Sequence, residues 1–361
     1  MFKLHAVQAA FGDCLLLEYG DAAQPRFVLI DGGPARTYQT HLKPAVQRLV
    51  TNRGQIELAV LSHVDNDHVI GLLDMFGELR ARADDGRSRL RINALWHNAF
   101  SQTVGRELDE QTLREVPDLS AWASDLADPI DVIERGIAEG DQLQRGASAL
   151  GIPINPNFDG GLVLTEAGAR HSLQDLDIRV LGPSQKALEK LRKQWLAWLA
   201  RQAHRDVRLG KDQSVPNLSS IMLLVESSGA RALLPGDGRG EEIVNGLKAS
   251  GAWPIGDAVH VDLLKLPHHG SARNATPEFL RKVKADRYLI CADGTHGNPD
   301  PPTLDWMLAA ARDDRREFEI IATSQTQSLI DFVARFPPKD NHFRVRLLPA
   351  RSHALAIDLA R

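Results

Sequence analysis

Residues 58–68 read Leu-Ala-Val-Leu-Ser-His-Val-Asp-Asn-Asp-His, an apolar run followed at once by a polar cluster. Four side chains of that cluster can bind metal: His63, Asp65, Asp67 and His68. A solvated turn is the alternative, but crowded carboxylates repel one another unless a cation lies between them. Imidazole nitrogen and carboxylate oxygen together suit zinc, manganese or iron. The stretch therefore predicts a metal site where a strand ends.

Other apolar runs of the chain also stop at Asp, His or Asn. These strand ends carry Asp31, His97-Asn98, Asp237 and His268-His269. Each is ordinary by itself, since a strand-terminal Asp is usually a turn former and a lone His usually has a structural partner. Open α/β sheets place reactive groups at strand ends, so the five places together predict one shared site.

Strand-like runs occur in both halves of the chain and flank a more helical and irregular middle. The predicted strands are 15–18, 27–30, 57–62, 90–96, 176–181, 221–225, 232–234, 261–266, 287–291, 317–323 and 344–348. Helices are expected over 184–204 and 302–312, and residues 69–73 give a short helix in which Gly71 allows close approach. The fold class is therefore α/β.

Composition limits the classes of protein to consider. The 361 residues are 43% hydrophobic and 25% charged, as in ordinary globular proteins. A net charge of −4 provides no global positive field for nucleic acid. Cys14 and Cys291 lie in apolar runs, and no signal peptide or membrane span is evident, so we expect a cytoplasmic protein with reduced thiols that does not interact with membranes. Oligomeric state has no signature here.

Four segments resemble motifs of the metallo-β-lactamase superfamily, and within it the ComEC-like type. They are GDCLLLEYG with FVLIDGG, then SHVDNDHVIGL, NLSSIMLLVESSGARALLPGD and LLKLPHHGS. SHVDNDH is similar to the superfamily's HxHxDH signature with Asp65 in place of the second His. The resemblance covers about 1–98 and 176–300 and implies a four-layer αβ/βα sandwich. Residues 1–361 would form one such domain, with a helical or irregular insertion at about 99–175 and a helix at 184–204.

The resemblance also implies a set of metal ligands. His63 and Asp65 would bind one metal, Asp67 and His68 the other, and Asp237 would bridge them. His268 is expected in the second site, with His269 as its alternative. His97 is expected in the first site, with Asn98 as its alternative. Asp31 is expected to be a structural residue near the site. The cofactors would be two divalent ions, with Zn²⁺ expected and Mn²⁺ as the alternative because Asp65 is a harder ligand than imidazole.

The activity implied is hydrolysis by a hydroxide that bridges two divalent metals, with Asp67 as the catalytic residue. A phosphodiester in a nucleic acid or nucleotide is the expected substrate, by analogy with ComEC-like domains. Lys265 and Arg273 could bind such an anion, although surface solvation is the simpler and favoured explanation. The alternatives are a hydrolase of carboxylic esters, lactones or thioesters, and a non-catalytic, metal-stabilised interaction module.

Overall fold

The computed structural model describes residues 1–50, 54–84, 90–99, 129–166, 170–190 and 219–360. Helices and strands alternate through these residues and confirm the α/β class. Two of the sheets are large, with six and eight strands, and a third joins the two short strands β4 (Gln55–Ile56) and β6 (Arg91–Ile92).

The six-stranded sheet contains the first half of the site. Its strands are β1 (Phe2–Val7), β2 (Leu15–Asp21), β3 (Gln24–Ile30), β5 (Leu58–Val60), β7 (Leu95–Trp96) and β16 (Ala354–Asp358). They lie in the order β16-β1-β2-β3-β5-β7, and β3, β5 and β7 run parallel. Asp31, the cluster 63–68 and His97 follow these three strands and so lie at one sheet edge.

The eight-stranded sheet contains the second half. Its strands are β8 (His171–Leu173), β9 (Leu176–Gly182), β10 (Met222–Ser227), β11 (Ala230–Leu234), β12 (Val259–Lys265), β13 (Val283–Ile290), β14 (Phe318–Ala322) and β15 (Phe343–Leu347). They follow one another in sequence order from β8 to β15 across the sheet. β10 and β11 form the predicted antiparallel hairpin, and β11 to β15 are parallel, so Asp237 and the His268-His269 pair follow adjacent parallel strands.

The helices are α1 (Lys43–Leu49), α2 (Asn66–Asp84), α3 (Pro129–Ala149), α4 (Gly240–Ala249), α5 (Pro277–Lys282), α6 (Pro301–Asp313) and α7 (Gln327–Arg335). The expected helix over 184–204 is observed at 185–190, and its remainder lies outside the described residues. The insertion at 99–175 contains α3 and β8, and its residues 100–128 are likewise outside them. Among the described residues, every helix is too short or too polar to cross a membrane.

Three clusters of buried residues hold these elements together. One combines side chains of both large sheets, such as Leu17 and Val225, so the two sheets pack face to face. A second joins the eight-stranded sheet to the helices α4 to α7, as Leu264 with Phe279 illustrates. The third joins the six-stranded sheet to α1, α2 and α3. Burial of this apolar surface is the main favourable term in folding.

Close backbone contact fixes α2 against the loop that follows β3. The Gly32 amide donates to the His68 carbonyl at 2.7 Å, and the Gly71 amide donates to the Gly33 carbonyl at 2.9 Å. A Cβ added to Gly71 would lie 1.9 Å from the Gly32 carbonyl oxygen, which leaves no room for a side chain. The predicted close approach at Gly71 is confirmed, and it fixes the start of the helix that bears Asp67 and His68.

Gly71→Ala is expected to lower the free energy of unfolding by more than 2 kcal/mol, because the added methyl forces α2 away from the loop. Gly77→Ala is the matched control in the same helix, since a Cβ at Gly77 meets nothing within 4 Å. The control should gain roughly 0.5–1 kcal/mol from the better helix propensity of Ala. Chemical denaturation of both variants measures the difference. Equal effects would contradict this account of the contact.

Candidate metal centre

Asp237 lies at the centre of the cluster, and its two carboxylate oxygens face different histidines. Oδ1 is 3.5 Å from Nε2 of His68 and 3.7 Å from Nε2 of His269. Oδ2 is 3.5 Å from Nε2 of His268 and 3.7 Å from Nε2 of His63. The side chain is 2% exposed. One buried carboxylate therefore divides the histidines into two pairs.

Each pair of histidines is accompanied by a further carboxylate. Asp67 Oδ2 is 3.1 Å from His269 Nε2 and 3.6 Å from His68 Nε2. On the other side, Asp65 Oδ2 is 3.4 Å from His63 Nε2. We call Asp67, His68, His269 and Asp237 the inner group, since ligand atoms of all four lie within 4.8 Å of one another. The outer group is His63, Asp65, His268 and Asp237.

The second nitrogen of every one of these histidines has a partner that fixes the ring. Nδ1 of His63 lies 3.0 Å from Ser62 Oγ, and Nδ1 of His68 lies 2.8 Å from Asp31 Oδ2. The late histidines repeat this arrangement, with His268 Nδ1 3.1 Å from the side-chain oxygen of Asn274 and His269 Nδ1 2.8 Å from the Cys291 carbonyl oxygen. An Nδ1–H that donates in this way leaves the Nε2 lone pair directed at the cluster, as in metal sites.

A left-handed turn lets two neighbouring histidines face the same carboxylate. His268 and His269 have φ values of 49° and 55°, which are unfavourable for residues with a Cβ. In an extended strand these side chains would point to opposite faces. The turn is held by the His268 amide, which donates to the Gly236 carbonyl at 3.1 Å, and by the Ser271 amide, which donates to the His268 carbonyl at 2.9 Å. Backbone strain of this kind typically occurs at functional sites.

The pKa values report a dense cluster of opposite charges. Burial by itself would lower the pKa of His269, but Asp237 and Asp13 raise it to about 10. Burial would likewise lower the pKa of His68, whereas the carboxylates of Asp67, Asp237 and Asp31 raise it well above its ordinary value. Burial would raise the pKa of Asp67, yet His68 and His269 hold it at about 2. Positive charge on the two imidazoles thus compensates the carboxylates when no metal is bound.

The arrangement could hold a metal ion. Four buried polar atoms of the two groups lack hydrogen-bond partners: Nε2 of His63, Nε2 of His68, Oδ1 of Asp65 and Oδ1 of Asp237. Buried groups of this type are rarely left unsatisfied unless they bind something. Five carboxylates lie in or against the centre, those of Asp13, Asp31, Asp65, Asp67 and Asp237, and the ammonium of Lys265 lies among them. With neutral histidines this leaves four negative charges, which two divalent cations would balance.

The structure redistributes the expected ligands. His63, Asp65, Asp67, His68 and Asp237 come together as predicted, but the inner group is completed by His269, while His268 faces the outer group. Both histidines of the pair therefore belong to the cluster. Asp31 accepts hydrogen bonds from Ser62 and His68 beside the site, in the structural position expected for it.

His97 and Asn98 are not among the residues whose ligand atoms come together. Both ring nitrogens of His97 are buried without a side-chain hydrogen-bond partner among the described residues, and a Cβ added to Gly140 of α3 would lie 3.4 Å from its Nε2. Asn98 exchanges two hydrogen bonds with the backbone of Val163, at 2.8 and 2.9 Å, so its side chain is structural. α3 and the Val163 segment enclose these residues, and a ligand role for His97 stays a prediction.

The expected role of Lys265 in substrate binding is wrong. Its side chain is only 1% exposed and pairs with Asp13, so it cannot reach a substrate. Arg273 is exposed in the turn that follows His269.

Three groups that contact the cluster were not predicted: Asp13, Asn274 and the Cys291 carbonyl. Only Asp13 had a signal, since it is a charged residue two positions before the apolar strand β2.

Comparison with known proteins gives a partial match. No family model matches the chain. A segment is similar to microtubule-associated protein 1A, with 27% identity to the mouse protein and 28% to the human protein over 124 residues. Each match covers 32% of this chain and 4% of the relative, so the chain spans a small fraction of the relatives' length. The rat protein is 28% identical over 125 residues.

His97→Leu is expected to change how stability depends on pH. Burial lowers the pKa of His97 from its ordinary value of 6.5 to about 4, so the neutral ring is favoured in the folded protein. Above pH 6.5 the neutral ring carries no protonation cost for folding. As the pH falls toward 4, the unfolded chain binds a proton at His97 that the folded protein does not. The free energy of unfolding therefore falls by roughly 3 kcal/mol, at about 1.4 kcal/mol per pKa unit. The variant should lack this loss when unfolding is measured from pH 4 to 7. Parallel curves for the two proteins would show that His97 does not titrate as described.

Proposed function

We propose that this protein is a metal-dependent hydrolase of the metallo-β-lactamase type, with a ComEC-like site for two divalent metal ions. The observation that carries the proposal is that the two carboxylate oxygens of Asp237 face different pairs of histidines. Each oxygen lies 3.5 to 3.7 Å from two imidazole Nε2 atoms. A structural ion pair does not require four histidines whose Nδ1 atoms all have partners. The geometry suits a carboxylate shared by two metal ions, because metal-bound histidines are usually oriented through their other ring nitrogen.

The packing supports the four-layer αβ/βα sandwich that accompanies such a site. One buried cluster lies between the two large sheets, and the other two lie between each sheet and its helices. We infer the order helices, six-stranded sheet, eight-stranded sheet, helices. The site would then lie where both sheets present the carboxyl ends of parallel strands.

The inner group fits one divalent ion, since ligand atoms of Asp67, His68, His269 and Asp237 lie within 4.8 Å of one another. The outer group would hold the second ion, with His63 3.4 Å from Asp65 and 3.7 Å from Asp237, and His268 3.5 Å from Asp237. Two imidazoles and two carboxylates in each group suit Zn²⁺, with Mn²⁺ as the alternative. Bound there, the ions would supply Lewis acidity toward the scissile group and lower the pKa of water.

Substrate would approach from the side on which the cluster is open. Asp65, Asp67 and His268 have side chains that are 19%, 22% and 30% exposed, whereas the other members are almost completely buried. Against the effect of burial, His68 and His269 lower the pKa of Asp67, which favours its ionised form, and the carboxylate could orient attacking water by accepting a hydrogen bond.

A phosphodiester in a nucleic acid or nucleotide is the substrate class we favour. The support is the resemblance to ComEC-like domains together with exposed Arg273 beside the late histidines, whose guanidinium could contact a phosphate. Carboxylic esters, lactones and thioesters are the alternative for the same site.

A non-catalytic interaction module is a second candidate function. The similarity to microtubule-associated protein 1A favours it, since that protein's name describes association with microtubules. On this reading the metal ions would stabilise the fold and take no part in chemistry. The open side of the cluster weighs against it, because a purely structural metal site is normally closed to solvent.

The experiment is hydrolysis by protein loaded with Zn²⁺ or Mn²⁺ of single-stranded DNA, RNA, a phosphodiester reporter and a lactone. We expect turnover of the phosphodiesters, with Asp67→Asn lowering kcat by at least 100-fold because attacking water is no longer oriented. Asp305→Asn is the control, as this exposed residue of α6 pairs with Arg335. Turnover of the lactone alone would reject the phosphodiesterase, and two bound ions with no turnover would favour the interaction module.

A further inference from the structure

Lys265 is a buried cation within the metal centre. It ends strand β12 and is 1% exposed. Its ammonium pairs with Asp13, donates to the Gly236 carbonyl at 3.0 Å and lies 3.8 Å from Asp237 Oδ1. Burying an ammonium costs several kcal/mol unless a partner compensates it. Asp13 is that partner, and the carboxylate shared by the two groups is the next acceptor within reach.

Asp13 is itself fixed by the elements that form the site. Its amide donates to the Asp67 carbonyl at 3.2 Å, where α2 begins. A Cβ added to Gly12 would lie 2.0 Å from the same carbonyl oxygen, so the loop is packed directly on the helix. Asp13 Oδ1 is also 3.4 Å from His269 Nδ1. The carboxylate thus has a set position between the ammonium and a ligand of the inner group.

We propose that Asp13 is a positioning residue that holds the Lys265 ammonium away from Asp237 and so keeps that carboxylate available to metal. Without Asp13, the buried ammonium would turn to Asp237 Oδ1, its nearest remaining carboxylate, and would compete with a divalent ion for it. This inference rests on the proposed metal centre. The proposed effect of losing Asp13 depends on the free charge of Lys265. Replacing both Asp13 and Lys265 should therefore restore the metal affinity that is lost when Asp13 alone is replaced.

The test measures Zn²⁺ affinity by competition with a chromophoric chelator, with the number of bound ions determined by elemental analysis. Asp13→Asn should weaken binding by roughly tenfold or more, the usual effect of losing a residue that supports a ligand. The double variant Asp13→Asn/Lys265→Met should bind within about threefold of the wild type, since no competing charge remains. Lys265→Met alone should bind at least as tightly as the wild type. Melting temperatures without metal establish that each variant is folded.

The pair Lys284–Asp314, whose atoms are 2.6 Å apart and partly exposed, supplies matched controls. Asp314→Asn and Asp314→Asn/Lys284→Met should leave Zn²⁺ affinity unchanged. A double variant at 13 and 265 that binds as weakly as Asp13→Asn would overturn the inference, because loss without rescue is what a merely structural pair gives. If Asp13→Asn does not fold, Lys265→Met alone tests the inference. Weaker Zn²⁺ binding by Lys265→Met than by the wild type would overturn the inference, because removal of a competing charge cannot weaken binding. A wild type that binds no Zn²⁺ would overturn the metal centre itself.

Discussion

Repulsion among buried carboxylates is the constraint on which the rest of this structure depends. Asp237, Asp67 and Asp13 are crowded into a small volume where each would be costly without compensation. In the metal-free protein the imidazoles of His68 and His269 supply positive charge, as their raised pKa values show. Divalent ions in the centre that we propose would supply this positive charge in place of the protons.

The fold meets this constraint by placing rigid supports around the cluster. Parallel strands of both large sheets end at it, and α2 is fastened to the loop after β3 by contacts that only glycine permits at positions 32 and 71. The ring nitrogens of the histidines are then oriented from outside by Ser62, Asp31, Asn274 and the Cys291 carbonyl. Fixed orientation matters because a metal site a fraction of an ångström too loose loses affinity.

Much of the fold and the members of both groups could be predicted, with His269 named only as the alternative to His268. Apolar runs that end in Asp or His gave the strands β3, β5, β11 and β12 and the residues that follow them. The pairing of His268 and His269 with opposite oxygens of Asp237 could not be predicted, since it depends on a left-handed turn. The packing of α3 against His97 could not be predicted either, since the helix lies more than 30 residues away in the chain. The partnership of Asp13 with Lys265 depends on sheet packing across 252 positions.

The most direct test of the two-group centre is anomalous diffraction from crystals grown with Zn²⁺. The account predicts two zinc peaks per chain. One should lie among Asp67, His68 and His269, the other among His63, Asp65 and His268, with Asp237 Oδ1 on the first and Oδ2 on the second. A single peak, or peaks away from Asp237, would contradict it.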